Sequence, residues 1–207
     1  MARYTDPKCR VCRSAGVKLF LKGTRCFSPK CPVERRAGVP PGGIKRGRRS
    51  SKSDYGIQLK EKQKLKNLYG VMERQIRRYF DEALKVKGAT GETMMQLLER
   101  RLDNAVFRLG FTPGRSVARQ VVSHGHVMVD GKRVDIPSFR VRPGMVIALA
   151  GKALKVPMVK MNLEKKDYVA PQWLERKAAV GRVVRLPNRD EAETGINEQL
   201  IVEYYSR

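Results

Sequence analysis

The hydrophobic pattern divides the chain into stretches of different period. From Met1 to about Lys52 there is little apolar periodicity, and Val39-Pro40-Pro41-Gly42-Gly43 is a breaker cluster leading into a basic, serine-containing run. A small cross-linked module followed by an extended basic arm is expected there. Ser53 or Asp54 can cap a helix that runs to about Leu68 and stops at Gly70, and Met72, Ile76, Tyr79, Phe80 and Ala83 then recur at helical spacing until Gly88. A third helical stretch begins at Thr90, carries Met94, Leu97, Leu98, Leu102, Ala105, Val106 and Leu109 inward, and can break into two pieces before Gly110.

After Pro113-Gly114 a short helix presents Val117, Ala118, Val121 and Val122 to one side and Arg115 and Arg119 to another, ending at Gly125. The period then changes to two. His126 to Val129, Asp130-Gly131 and Lys132 to Val134 form a hairpin, because Asp-Gly supplies the positive φ angles of a type I′ turn. A second turn at Arg142-Pro143-Gly144 launches a strand from Met145 to Leu149. Beyond Val156 the pattern predicts a helix to about Lys166, a strand from Val180 to Leu186, and a terminal amphipathic helix capped by Asn197. The fold class is α+β.

Charge narrows the function. The 207 residues hold 44 Lys and Arg against 20 Asp and Glu, a net charge of +24. Such a surplus calls for a polyanion. No window is apolar and long enough for a membrane span, so nucleic acid in the cytoplasm is the expected partner. Residues 1–53 contribute fifteen basic and two acidic side chains. Residues 187–207 are acidic through Asp190, Glu191, Glu193, Glu198 and Glu203, which should face protein and not RNA. Phosphate contacts are expected from Arg3, Tyr4, Lys8, Arg10 and Arg13, and from the run Lys45, Arg46, Arg48 and Arg49.

All four cysteines lie in the first 31 residues, as Cys9-x2-Cys12 and Cys26-x4-Cys31. This spacing lets four thiolates reach one tetrahedral centre, and the neighbouring Lys8, Arg10, Arg13, Arg25 and Lys30 are expected to lower the thiol pKa values. Zinc is the default ion, a 4Fe-4S cluster the alternative, and disulfides are disfavoured by the cytosolic character of the chain. His124 reads as a partner of the helix dipole or an RNA contact, and Trp173 as core. No Walker loop, dinucleotide fingerprint or nucleophile elbow is present, so neither an enzyme nor a small-molecule substrate is expected.

Several segments, CRVCRSAGVKLFLKGTRCFSPKC, SDYGIQLKEKQKLKNLYG, LLERRLDNAVFRLGF, ARQVVSHGHVMVDGKRVDIPSFRVRPG and NEQLIVEYYSR, carry a family likeness. The chain resembles, almost end to end, the family of bacterial small-subunit ribosomal protein four in its cysteine-containing, metal-binding form. The resemblance implies a metal-binding basic arm (1–52), a helical domain (53–98) completed by 190–207, and an inserted S4-type RNA-binding domain (99–189). It also implies a primary 16S ribosomal RNA-binding protein that nucleates subunit assembly at a junction in the 5′ domain. On the matching positions, Arg115, Arg119, His124, Lys132 and Arg133 are the implied contacts, joined by Arg100, Arg101 and Arg108. Further implications are a place beside the channel through which mRNA enters the subunit, and neighbours in ribosomal proteins five and three. Contact with protein five, which influences translational accuracy, would involve Glu198, Gln199, Tyr204 and Tyr205. Two departures stand out: PPGGIKRG replaces the usual Pro-Pro-Gly-Gln-His-Gly, and Gly114 replaces a capping serine. The rival reading is an RNA-targeting factor or RNA-modifying enzyme that borrows the same motif.

Overall fold

The computed structural model describes residues 4–43, 53–165 and 168–207. The chain forms two compact units, residues 1–91 with 195–207 and residues 92–194.

In the first unit, α1 (Lys8–Ala15), a 3-10 turn (Gly23–Phe27) and α2 (Pro32–Arg35) close around Cys12, Leu19, Cys26 and Cys31. Turns follow as far as Gly43, and Arg13 folds that segment back by donating to the carbonyls of Val39 (3.0 Å) and Pro40 (2.8 Å); the extended basic run expected after it lies outside the described residues. The helix α3 (Asp54–Tyr69) begins where Ser53 Oγ accepts from the Gly56 N–H and ends where Gly70 turns left-handed at φ 64°. Next comes α4 (Glu73–Ala83), which stops well short of Gly88. The last helix, α10 (Glu198–Tyr205), is capped by Asn197, whose Oδ1 accepts from the N–H groups of Gln199 and Leu200.

Docking of α10 uses both apolar burial and polar ties. Ile201 is buried with Leu65, Leu68, Ile76 and Phe80, and the Phe80 and Tyr205 rings lie 5.0 Å apart. Lys62 is buried, a costly place for an ammonium unless it is partnered. It donates to Glu73 Oε1 at 2.8 Å and sits 4.5 Å from the Tyr204 ring centroid, while Tyr205 donates its hydroxyl to the same Glu73 oxygen at 2.7 Å.

In the second unit the long helical stretch is split into α5 (Thr90–Glu99) and α6 (Leu102–Arg108). The break has a physical cause: Arg101 is extended and pairs with Arg140, the Leu102 N–H donates to Phe139 O, and Arg100 O accepts from Val141. The helix α7 (Arg115–Ser123) follows, then β1 (Val127–Val129) and β2 (Lys132–Arg133), joined by Asp130 at φ 47° and Gly131 at φ 76° as the Asp-Gly pair predicts. The strands β3 (Val146–Leu149), β4 (Leu174–Lys177) and β5 (Val180–Val183) complete an antiparallel sheet in the order β2-β1-β3-β5-β4.

Two further elements, α8 (Gly151–Leu154) and β4, had no periodic signal, and α9 (Pro157–Leu163) ends before Lys166. The helices α6 and α7 cover the sheet, burying Leu102, Val106, Leu109, Val121, Val122, Val127, Ile147 and Val183 together with Trp173. Gly181 on β5 is where Leu109 approaches the strand: a Cβ there would lie 2.5 Å from the leucine methyls.

Candidate nucleic-acid interface

The amino-terminal module is a cationic surface organised around thiols. Cys12, Cys26 and Cys31 are buried, Cys9 is partly exposed, and all four are free. The Lys22 N–H donates to Cys26 Sγ at 3.3 Å. Burial pushes the Cys12 thiol up, the Leu19 backbone hydrogen bond opposes this, and the charges of Cys26, Cys9 and Cys31 add to the rise. The expectation that nearby cations lower the thiol pKa values is thus corrected for Cys12, because desolvation and neighbouring sulfurs outweigh surface charge. The same coupling places the four thiols in one neighbourhood. Among the described residues, however, no three His, Cys, Asp or Glu side chains converge closely enough to hold a metal ion, so the closed tetrahedral set expected from the spacing is not formed. The donor chemistry fits zinc or an iron–sulfur cluster; the ligand geometry does not yet do so.

Beside the thiols, Arg10, Arg13, Arg25, Lys30, Arg35 and Arg36 line a cleft of about 460 Å³. Only Asp6 and Glu34 are acidic in residues 4–43, and Glu34 is paired with Lys18. Sequence reasoning named Arg25 and Lys30 only as neighbours of the thiols and did not single out Arg35 or Arg36. The near absence of acidic residues through this module was the available signal. Tyr4 and Arg10 are exposed and Lys8 partly so. Arg3, Lys45, Arg46, Arg48 and Arg49 lie outside the described residues.

In the second unit the expected contacts separate into two groups. His124, Lys132 and Arg133 are exposed and gathered at one end of α7: His124 caps the helix, and its carbonyl accepts from Arg133 Nη2 at 3.3 Å. The Arg133 guanidinium lies over Gly125, which has φ 67° and leaves room for it by lacking a Cβ.

The other group is turned inward. Arg101 is fully buried and presents its fork to Asp103, with Nε at 3.0 Å from Oδ1 and Nη2 at 2.7 Å from Oδ2. Arg119 is buried too, 3.8 Å from the same carboxylate. Arg108 forks onto fully buried Glu99 at 3.0 and 2.9 Å and reaches Glu193 at 3.2 Å. Arg115 donates to Asn104 Oδ1 at 2.8 Å, pairs with Glu193 and stacks over Phe107. The Arg101 guanidinium cannot meet a phosphate in this conformation, and the helix face shared by Arg115 and Arg119 reads as an internal ion network. Arg100 is half-buried, with its Nε donating to Val141 O.

The acidic carboxyl-terminal segment has the same explanation. Glu193 serves Arg108 and Arg115, Glu191 forks with Arg185, and Glu203 accepts from Gln58. These acids neutralise the chain's own arginines or hold α10, so their presence need not signal a protein partner. Tyr204 and Tyr205 pack on α3 and α4, Glu198 is half-buried, and Gln199 is exposed.

Comparison with known proteins gives this geometry a context. Residues 3–99 match the model of the ribosomal protein S4/S9 N-terminal domain and residues 100–147 that of the S4 domain. The chain is 54% identical over 210 residues to small ribosomal subunit protein uS4 of Thermoanaerobacter sp. and 54% identical over 209 residues to that of Dictyoglomus turgidum. It is 53% identical over 213 residues to that of Thermus thermophilus, and in all three cases both chains are covered completely. With the family models spanning well over half the residues and these relatives matched from end to end, the chain belongs to the family of small ribosomal subunit protein uS4.

Proposed function

We propose that the chain is a structural, non-catalytic component of the small ribosomal subunit in the cytoplasm and acts by binding ribosomal RNA. The observation that carries this is the full-length likeness to uS4 proteins, joined to an S4 domain match over the segment that exposes His124, Lys132 and Arg133. An α-helix end and a hairpin tip with three donors suit phosphates and 2′-hydroxyls of A-form RNA, whose major groove admits no side chain. The cationic cleft of the amino-terminal module supplies a second phosphate-binding surface.

The finer reading assigns the RNA to a junction in the 5′ domain of 16S ribosomal RNA, where binding nucleates assembly. It gives Lys45, Arg46, Arg48 and Arg49 to the channel that admits mRNA, and Gln199 and its neighbours to contact with ribosomal protein five, near protein three, with an influence on accuracy. It also makes Cys9, Cys12, Cys26 and Cys31 the ligands of a structural ion, zinc or an iron–sulfur cluster. Support for the ion comes from four free thiols in one neighbourhood, three of them buried, and a backbone N–H already donated to Cys26 Sγ. When bound, the ion would fix the module by cross-linking its short helices.

Binding of the full chain to small-subunit ribosomal RNA and to duplex DNA, at matched salt, tests the function. Affinity for the RNA should exceed that for DNA and fall by about a thousandfold or more between 50 and 200 mM salt if six or more phosphates are neutralised. Equal affinity for the two nucleic acids would overturn the reading.

A further inference from the structure

The exposed aromatic pair of the amino-terminal module plays no part in the function as described so far. Phe20 and Phe27 stack with ring centroids 5.0 Å apart and planes at 29°. Phe27 is 76% exposed and Phe20 47% exposed. Apolar rings left in water are costly, and a pair held against each other on the surface is a stronger signal than either ring alone. The backbone adds to it. Phe20 has φ 48°, a left-handed conformation that bulky residues rarely adopt. The preceding Leu19 is buried, so the turn sinks one apolar side chain and swings the next outward, against Phe27.

The surroundings decide what could cover the pair. Residues 4–43 hold nine Lys and Arg, and the two acids among them are Asp6 and Glu34, the latter paired with Lys18. Lys22, Arg25 and Lys30 each fall within five residues of one ring or the other. An apolar protein surface would have to accept this charge uncompensated. An unpaired nucleotide brings a flat π face for the rings and a phosphate for the cations. We propose that Phe20 and Phe27 form a stacking platform for an unpaired base of RNA. The proposal rests on the RNA-binding reading above and deepens it, by adding a contact to a base where the cations contact backbone.

Salt-dependent binding of the full chain to transcribed small-subunit ribosomal RNA, measured for the parent, Phe27→Leu and Phe27→Tyr, tests it. The ring of Phe27 is mostly in solvent, so neither change threatens the fold. Phe27→Leu should weaken binding by roughly 5-fold to 150-fold, the span of one base–aromatic stack, with an unchanged salt slope. Phe27→Tyr, which keeps the π face, should bind as the parent does. A leucine variant that binds like the parent overturns the platform and leaves the RNA-binding reading standing. A tyrosine variant as weak as the leucine one also overturns it, because aromaticity is then irrelevant. A parent that ignores the RNA overturns both readings.

Discussion

Replacing Asp103 by alanine is the most informative perturbation of the second unit. Its carboxylate faces two guanidinium N–H groups of Arg101 at 3.0 and 2.7 Å, the Asn104 N–H at 2.9 Å and Arg119 at 3.8 Å. Arg101 is fully buried and Arg119 nearly so, and Asp103→Ala takes a carboxylate away from both cations. Breaking a buried pair by deleting one partner costs about 3–5 kcal/mol. Arg101 and Arg119 retain other contacts, which favours the lower end, about 3 kcal/mol. For a unit of this size that is a fall in Tm of roughly 12 °C or more. Trp173 is the only tryptophan and is fully buried in the core of this unit, so its fluorescence in a urea titration reports the loss directly. Combining Arg101→Met with Asp103→Leu should recover much of the loss, since an apolar pair needs no compensation. A change below about 1 kcal/mol for Asp103→Ala, or a double variant less stable than the single one, would refute the idea that this ion network holds the helix pair together.

Other outcomes follow from the same structure. Burial alone would raise the Glu73 pKa, but donation from Lys62 and Tyr205 outweighs it and holds the carboxyl below its ordinary range. A folded pKa below the unfolded one gives stability that is fully present above about pH 5 and is lost as pH falls through the folded value. The protection factors of the α10 amides, which correct for slower intrinsic exchange in acid, should therefore fall on acidification, and Glu73→Gln should flatten that fall; an identical pH profile in the variant would contradict the assignment. Gly181→Ala puts a methyl against Leu109 and should cost about 1–3 kcal/mol by overpacking, read again through Trp173. For the thiols, titration with cobalt(II) should give thiolate charge-transfer absorption, and Cys9→Ser or chelation should speed proteolysis of residues 4–43 while leaving the Trp173 signal unchanged. Absence of the absorption would remove the metal from the account.

Local chemistry was legible in the sequence. Ser53 and Gly70 bracket α3, Asp130-Gly131 makes the hairpin, and Asn197 caps α10, because each of these signals acts within a few residues. What the sequence hid was non-local. The fate of Arg101 depends on Phe139 to Val141 arriving beside it, and that of Arg115 on Glu193, far along the chain. A run of arginines on an RNA-binding motif reads as a row of phosphate contacts until those partners are placed, and only His124, Lys132 and Arg133 then remain together at the surface. Strand β4 escaped notice because Glu175, Arg176 and Lys177 give it no alternation, and its pairing with β5 supplies the order instead.

The helical unit is closed by α10, a helix far in sequence from α3 and α4, and this bears on how the unit folds. The whole of the second unit, residues 92–194, lies in sequence between the two parts of the first. Leu65, Ile76 and Phe80 therefore wait for Ile201, and the entropy of closing that long loop must be met before the apolar contact repays it. In the interval before closure these apolar side chains are incompletely covered, and refolding at high concentration should lose protein to aggregation.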